Sequence, residues 1–468
     1  MVLCRHPSTR ALRRLGALWV FVAVVARLAA QADQVPGTLP EDVLPGLRSI
    51  LEIALQRSPQ LLSAEFERTL AEARVDGANA PRLPSVGGNL NYANNQTAIS
   101  SNTDSQTRDN GLFYNIGVTQ ALFHWRALKN QSDSARINAL IARKSLDLAA
   151  RELAVLMRRM YLALIVEKTR LAAASESLRL MRADLAVTEE KKAKGTVSSA
   201  AVEGDKLRIR EVQLDCDRLA AEFEANLRRF ARLAGVPGLK AEDVPDTLPA
   251  LPFSPDLAAA LSAAVLRDGA KSTLEYEINE LRVRDSLLRH AIEKVRLYPK
   301  FYANAGYSLE NSTNVNSGVV NQQGIQRRTV SVYAQWSIFD GFATRGVLKE
   351  AIATRRMQER RLAIDTESVL QNVQILERTL RLDAEQQALA EIRESLAIEG
   401  TRIVGREVEF GNVPKADLDR ARAQVLHARI KTHEARATLY GRWSEFVAVT
   451  GADPTLRQLS SRHAREKP

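Results

Sequence analysis

Four short segments of the chain alternate between apolar and polar residues with a period of two. In each segment the apolar residues fall on one face, and small or polar residues occupy the other. The apolar faces comprise Val86, Leu90 and Tyr92; Leu112, Tyr114, Ile116, Val118 and Leu122; Phe301, Ala303, Ala305, Tyr307 and Leu309; and Val330, Val332, Ala334, Trp336 and Ile338. A period of two predicts β-strands. We therefore expect β-hairpins at about residues 84–123 and 299–339, with polar loops at residues 94–110 and 310–328.

The chemistry of these faces is typical of a barrel that has lipid outside and water inside. Each segment has roughly 10–13 residues, which suffices to cross a bilayer at a tilt. A soluble sheet with one wetted face is the alternative, but isolated strands would then leave open edges and little for the apolar face to pack on. The pattern therefore favours strands in contact with outer-membrane lipid.

A helical pattern follows each predicted hairpin. No proline or glycine occurs from Trp125 to Lys194, and apolar residues recur there at spacings of three and four, which indicates a helix with a packing seam. A helix of ~70 residues would be on the order of 100 Å long. The predicted helical hairpins cover residues 125–234, with a break at 195–198, and residues 343–450, with a break at 411–414; residues 47–80 and 257–295 predict further helices.

The two halves of the chain repeat each other at a nearly constant offset. The equivalent pairs are Pro84 and Pro299, 215 residues apart, and, 216 apart, Phe123 and Phe339, Gly195 and Gly411, and Gly235 and Gly451. Self-similarity at a fixed offset indicates a tandem duplication. We expect a first repeat at residues 33–234, a Pro-rich linker at 235–256, a second repeat at 257–454 and a short polar tail at 455–468.

Residues 1–32 have the pattern of a secretory signal peptide. Basic residues precede an apolar run from Leu15 to Ala26, and Ala30-Gln31-Ala32 supplies a cleavage site. A retained N-terminal anchor is the alternative, although a run of about 12 residues is shorter than the ~20 of a spanning helix. Removal of this segment takes five of the 66 basic residues, leaving 61 against 55 acidic residues, or a net charge of +6. Because this charge forms no basic run, nucleic acid is not expected as a partner.

The strand count per chain has a consequence for assembly. Four strands cannot close a barrel, and a bilayer tolerates no open sheet edge. Three copies of the chain would supply 12 strands, an even number within the range of outer-membrane barrels. The long helices have no place inside the membrane, so we expect them to extend into the periplasm. The predicted fold class is mainly α with a membrane β part, arranged as a homotrimeric 12-stranded β-barrel continued by a periplasmic α-helical tunnel.

From about Leu47 to Pro454, the chain resembles the TolC-like outer-membrane efflux proteins. The resemblance rests on the order of short motifs that recur in both repeats. The first motif is Leu83-Pro84 followed by Tyr92, and the second is Gln120 to Phe123, whose counterpart is Ser337 to Gly341. The third lies at the helical turns, where Gly195 and Val202 in the first repeat correspond to Gly411, Asp417 and Leu418 in the second. The resemblance implies the outer-membrane channel of a tripartite export system. In such a system a periplasmic adaptor and an inner-membrane pump deliver substrates, which the channel conducts passively to the outside.

The resemblance also implies a periplasmic tip, built from the two helical turns, that docks the adaptor. The residues it assigns to this tip are Gly195, Thr196, Val197, Gly411, Asn412 and Val413. Glycine suits a tight turn between helices because it tolerates positive φ.

Relatives narrow the tip with aspartates in a G-x5-D-x2-D pattern, which this chain meets only in part. Asp417 matches the first aspartate, Arg420 replaces the second, and Ala201 stands at the corresponding position of the first repeat. Asp417 and Arg420 form the candidate constriction, and their i,i+3 spacing permits a local ion pair. The alternative for Asp417 is a first-turn acid that stabilises the start of the helix.

No motif indicates an enzyme, a cofactor or a metal site. His427 and His433 are six residues apart, whereas two ligands on one helix face are four apart. Val347 stands where the GFATRGVLK segment would need lysine to be a phosphate-binding loop. The rival hypothesis is a structural periplasmic coiled-coil spacer anchored in the envelope, which explains the helices but not the strands. Drug efflux, metal efflux and protein secretion are all compatible with a channel.

Overall fold

The computed structural model describes residues 39–99, 105–316 and 319–454. The signal peptide expected at residues 1–32 and the tail expected at 455–468 lie outside the described residues. The chain forms two compact units. The helical unit takes its described residues from Met1–Pro59, Ala150–Ser272 and Leu370–Pro468, and the strand unit takes its own from Gln60–Ala149 and Thr273–Val369.

Long helices account for most of the described chain. The helices are α1 (Pro40–Val43), α2 (Pro45–Arg57), α3 (Pro59–Asn79), α4 (Ala127–Ala193), α5 (Ser199–Ala234), α6 (Pro255–Asp268), α7 (Leu274–Lys294), α8 (Ala343–Glu409) and α9 (Lys415–Val449). The strands are β1 (Ser85–Ile99), β2 (Ser105–Phe123), β3 (Lys300–Asn316) and β4 (Val319–Gln335), and 3₁₀ turns lie at Ala80–Arg82 and Ala241–Asp243.

The two predicted helical hairpins are confirmed. Helices α4 and α8 each contain 67 residues, and their ends fall within a few residues of the predicted ones. The uninterrupted period of three and four, free of proline, carries each helix over this length. At 1.5 Å per residue each is about 100 Å long.

The further helices predicted at residues 47–80 and 257–295 are present, two in each stretch. Ser58 separates α2 from α3 with an extended backbone, φ −61° and ψ 129°, because a residue that precedes proline is disfavoured in the helical region. Gly269 ends α6 at φ 65°. The Thr273 hydroxyl then begins α7 by accepting a hydrogen bond from the Tyr276 N–H at 3.4 Å.

The prediction of polar loops at residues 94–110 and 310–328 is wrong over most of their length. β1 continues to Ile99 and β3 to Asn316, and their partner strands begin at Ser105 and Val319. Backbone pairing accounts for this, because a ladder of N–H and C=O groups does not require apolar side chains. At its other end β4 stops at Gln335, so Trp336 and Ile338 lie beyond the strand that was predicted to contain them.

The strands form one antiparallel sheet in the order β1-β2-β3-β4. The central pair, β2 with β3, joins the first repeat to the second, and β1 and β4 are the edges. The register carries the predicted faces across all four strands. One apolar row runs Val86, Val118, Ala305 and Val330, and one polar row runs Gly87, Gly117, Gly306 and Thr329.

Within the helical unit, side-chain contacts link the helices in the order α5-α4-α9-α8. The links in this order are Asn226 to Glu167 at 2.9 Å, Arg170 to Glu434 at 2.6 Å and Arg436 to Glu391 at 2.8 Å. The core beneath them is apolar and includes Met157, Tyr161, Phe230 and Phe446, each at most 1% exposed.

Within the strand unit, the helices follow the order α3-α4-α7-α8. The links are Ser132 to Asn79 at 2.5 Å, Asn138 to Asp285 at 3.2 Å and Asn279 to Asp365 at 2.9 Å. In the part of the chain that the structure describes, no helix has an apolar stretch long enough to cross a membrane.

Candidate functional site

The turns that end α4 and α8 have the same backbone structure. Gly195 and Gly411 both have φ 76°, a left-handed conformation that costs a residue with a Cβ about 1–2 kcal/mol. In the first turn the Gly195 N–H donates to the Lys192 carbonyl at 2.9 Å and the Thr196 N–H to the Lys191 carbonyl at 3.0 Å. These paired bonds are the Schellman arrangement that satisfies the last carbonyls of a helix.

The second turn repeats this arrangement 216 residues later. The Gly411 N–H donates to the Val408 carbonyl at 3.0 Å, and the Asn412 N–H donates to the Glu407 carbonyl at 2.9 Å. Because the two turns are alike in backbone, they differ mainly in the side chains they present.

The predicted tip residues are accessible in this chain. Thr196 and Asn412 are exposed, whereas Val197 and Val413 are half-buried. The first return helix, α5, begins at Ser198, whose hydroxyl accepts a hydrogen bond from the Ala201 N–H at 3.3 Å. The turns therefore offer a small polar surface over a partly buried valine.

Asp417 and Arg420 lie in the first turns of the other return helix, α9. The Asp417 N–H donates to the Pro414 carbonyl at 3.0 Å, and its carboxylate forms an ion pair with the Arg420 guanidinium. The local pairing that the i,i+3 spacing permitted is thus present. Ala201 occupies the corresponding place in α5, so only one of the two turns carries this acid.

Two ion pairs that sequence reasoning missed, one on α4 and one on α9, lie close enough for their charges to interact. A hydrogen bond from Arg179 lowers the pKa of Glu176, and the charge of Arg422 on α9 lowers it further. Arg422 in turn pairs with Asp419 at 3.3 Å. Each i,i+3 pair is visible in the sequence, but only packing brings α4 and α9 side by side.

The two faces of the sheet differ sharply in chemistry. Val330 on the apolar face is 88% exposed and Val332 is 68% exposed, so no other described residue covers the face at these positions. On the polar face the Asn115 side chain accepts a hydrogen bond from the Asn89 N–H at 3.1 Å. One face can therefore meet lipid while the other meets water.

Aromatic side chains gather where the strands meet the helices. The Trp125 ring lies 4.9 Å from that of Phe123 and 5.1 Å from that of Tyr298, measured between centroids. The Trp125 indole N–H donates to the Pro299 carbonyl at 2.8 Å, and the Trp336 indole N–H donates to the Leu297 carbonyl at 3.0 Å. Such rings, apolar in body with one satisfied polar group, suit a membrane interface.

The described residues contain no candidate metal site. No group of three or more His, Cys, Asp and Glu side chains there is placed to hold a metal ion. His433 is buried, and its Nδ1 lies 3.0 Å from the Thr169 hydroxyl. Cys216 is a buried free thiol.

The sequence model of the outer membrane efflux protein family matches residues 50–236 and 279–452, which is most of the chain. The chain belongs to the outer membrane efflux protein family. Its members are transport channels, so the protein acts in efflux at the outer membrane and is not an enzyme. The resemblance noted from the short motifs is confirmed.

Solved outer membrane channels share this fold at low sequence identity. The CmeC channel of Campylobacter jejuni superposes with a TM-score of 0.71 at 11% identity, over 89% of each chain. VceC of Vibrio cholerae gives a TM-score of 0.64 at 14% identity, over 86% of this chain and 96% of VceC. The MtrE channel of Neisseria gonorrhoeae, in its open state, gives 0.61 at 16% identity, over 87% of this chain and 89% of MtrE. No curated protein sequence matches the chain.

Proposed function

We propose that three copies of this chain close into a 12-stranded β-barrel continued by a helical tunnel, which passively conducts substrates that a periplasmic adaptor and an inner-membrane pump deliver. The observation that carries the proposal is that the sheet and both helical layers end in edges that a second copy can cover.

Among the described residues, the sheet has two edge strands that lack a partner strand on one side. β1 and β4 stand at the ends of the order β1-β2-β3-β4, and each presents unpaired backbone groups there. A bilayer does not hydrogen-bond such groups, so a lipid-exposed edge is unfavourable by several kcal/mol per group. Pairing of β4 in one copy with β1 in the next removes every edge when the ring closes.

The edge helices of the helical unit carry exposed apolar stripes. One stripe on α8, continued by the residue after it, repeats every seven residues: Ile375, Leu382, Leu389, Leu396, Ile403 and Phe410, which are 48–79% exposed. On α5, Leu207 and Leu214 are exposed at the same spacing. A heptad repeat forms a seam against another helix, and α5 and α8 are the two ends of the order α5-α4-α9-α8. We assign α5 of a neighbouring copy as the partner of α8.

The edge helices of the strand unit repeat the pattern. Leu62, Phe66 and Leu70 are exposed along α3, and Met357 and Ile364 are exposed along α8. These helices stand at the two ends of the order α3-α4-α7-α8. Each end helix therefore has an exposed apolar stripe, whereas polar side chains link successive helices within the chain. This pattern favours lateral closure by identical copies.

The height of the apolar sheet face fits a membrane. On β2, Tyr114 and Phe123 are nine residues apart, and a register shift after Ala121 places Phe123 opposite Phe301 of the apolar face. This separation is about 30 Å along the strand. A tilt of about 40° reduces this to about 23 Å, close to the ~25 Å apolar band that aromatic girdles flank in outer-membrane barrels.

At the tip, we propose that the two turns dock the adaptor through Gly195, Thr196, Val197, Gly411, Asn412 and Val413. Their matched Schellman geometry supports this, because it presents two similar surfaces from the two repeats. We further propose that Asp417 and Arg420 line the constriction. The ion pair between them leaves the ring less acidic than two aspartates would be.

Bilayer recordings test the channel against the rival spacer. Purified full-length protein should insert into planar bilayers as an oligomer and produce stepwise conductance, because a closed barrel has a continuous lumen. The absence of conductance from protein that is soluble without detergent would contradict the channel and favour the spacer.

The same recordings test the constriction. Asp417→Asn should lower cation selectivity and weaken block by divalent cations, because it removes a carboxylate from each copy. Asp419→Asn, two residues away and paired with Arg422, is the matched control. Unchanged selectivity in Asp417→Asn would instead assign Asp417 to the helix start alone.

A further inference from the structure

Arg328 interrupts the apolar face of the sheet at one level. It lies on β4 with the same alternation as Val330 and Val332, which are among the most exposed residues of that face. Its own side chain is exposed. The sequence prediction had placed it in a polar loop, so its position on the face follows only from the register.

The described neighbours of Arg328 on this face are uncharged, and the one opposite it is aromatic. Tyr307 stands opposite it across β3 and β4, and the Tyr307 ring lies 6.1 Å from the Tyr114 ring, between centroids. Gln326 and Val330 flank Arg328 along the strand. A cation beside a tyrosine pair, where an apolar face ends, matches the interfacial level of a membrane and not its midplane.

The same strand places Arg328 toward the end of the sheet that lies away from the helices. β4 runs from Val319 through Arg328 to Gln335, and α8 follows at Ala343. If the helices extend into the periplasm, as the proposed function requires, this level belongs to the outer leaflet.

We propose that Arg328 binds the phosphate of a phosphorylated lipid headgroup in the outer leaflet and, with Tyr307, anchors the barrel at that level; this rests on the proposed function. A guanidinium presents a planar fork of donors that matches two phosphate oxygens at once. A lipid phosphate supplies the anion that Arg328 lacks among its described neighbours, Tyr307, Gln326 and Val330. A closed ring of three copies has three such sites, one in each copy.

Arg327 is the matched control for this site. It stands one residue away on the same strand and pairs in register with Ser308, on the polar face. It therefore has the same charge and the same height along β4 but the opposite direction. A lipid phosphate reaches Arg328 and not Arg327.

The experiment compares full-length wild type, Arg328→Gln, Arg328→Lys and Arg327→Gln in phosphatidylcholine nanodiscs with increasing lipid A. Native mass spectrometry counts the lipid A molecules that stay bound. Arg328→Gln should weaken binding about three- to tenfold, with Arg328→Lys intermediate and Arg327→Gln like wild type. Lipid A without phosphates should bind wild type as weakly as phosphorylated lipid A binds Arg328→Gln.

Equal binding by Arg328→Gln and wild type would overturn the site, as would equal losses in Arg327→Gln and Arg328→Gln. Quenching of tryptophan fluorescence by brominated lipid tests the barrel separately. If brominated lipid fails to quench tryptophan in wild type, both the membrane face and the lipid site are wrong. Quenching with equal binding by all variants overturns the lipid site alone.

Discussion

Arg158 is a fully buried cation in the core of the helical unit. Its Nε donates to Glu41 Oε2 at 2.9 Å and its Nη1 donates to Asp453 Oδ2 at 2.6 Å. Burial opposes the charge, but the carboxylates of Asp453 and Glu41 outweigh it and raise the pKa of the guanidinium above its ordinary value. One residue of α4 thus ties the start of α1 to the segment that follows α9.

Replacement of Arg158 should cost far more stability than replacement of its neighbour. Arg158→Met leaves two buried carboxylates without their cation and should lower the free energy of unfolding by about 3–5 kcal/mol. Arg159→Met is the control, because Arg159 is 61% exposed and pairs with Glu445 at the surface, which is worth at most about 1 kcal/mol. Thermal denaturation in detergent measures both, and equal losses would contradict the assignment.

His433 is the buried histidine between α4 and α9. Burial is the main cause that lowers its pKa, and the charge of Arg436 lowers it further. Glu394 raises the pKa and Arg429 lowers it, both by smaller amounts. The unfolded chain therefore takes up a proton at His433 before the folded chain does. The contribution of neutral His433 to the free energy of unfolding is present above the ordinary histidine pKa and is lost as the pH falls below it.

The lowered pKa of His433 predicts that acid weakens the contact between α4 and α9. Between about pH 7.5 and about pH 5.5 the melting temperature should fall more in wild type than in His433→Asn, because asparagine keeps a polar contact with Thr169 but does not titrate. His427→Asn, at an exposed position of the same helix, should follow the wild-type pH dependence. A His433→Asn profile parallel to wild type would show that His433 does not carry the effect.

At the scale of single elements, the helical turns were the part of the site that sequence could locate. Glycine at both positions of a duplicated break predicted left-handed residues, and Gly195 and Gly411 have φ 76°. Strand ends were harder, because the polar residues at 94–99 and 105–110 read as a loop while their backbones continue the ladder. Local composition reports on side chains, whereas the ladder depends on the partner strand.

Cysteine cross-linking tests whether the turns dock an adaptor. In a Cys216→Ala background, Thr196→Cys and Asn412→Cys should each cross-link to a periplasmic partner in cells, because both positions are exposed at the turns. Ser175→Cys, exposed along α4 and away from either turn, should give no such product. Equal capture at Ser175 and at the turns would contradict docking at the tip.

At the scale of the whole molecule, the same arrangement recurs in three layers. The sheet ends in β1 and β4, the helices of the strand unit end in α3 and α8, and those of the helical unit end in α5 and α8. In each layer one edge comes from the first repeat and the other from the second. Duplication followed by the proposed lateral closure would cover all of these described edges at once.

Charges in the α8 stripe should prevent that closure. Leu389→Lys combined with Leu396→Lys removes two leucine side chains from every interface, and the burial of each stabilises the interface by roughly 1.5–3 kcal/mol. The two lysines also place charge in a buried seam, which is unfavourable. Gln386→Lys combined with Arg393→Lys changes exposed polar positions on the same helix and should leave assembly intact. Oligomer size by light scattering is the measurement, and a trimer that survives the leucine changes would contradict the α5–α8 seam.

The sequence by itself determined the duplication, the two long helical hairpins, the faces of the strands and the family. These follow from local periodicity and from motifs repeated at one offset, which need no knowledge of distant neighbours. Only the tertiary structure decided the rest. Arg158 meets partners 117 and 295 residues away, and Arg328 lies on the apolar face because β4 pairs with β3 in one particular register. Such contacts depend on which segments pack together, and a shift of one residue in register would turn every side chain of a strand to the other face.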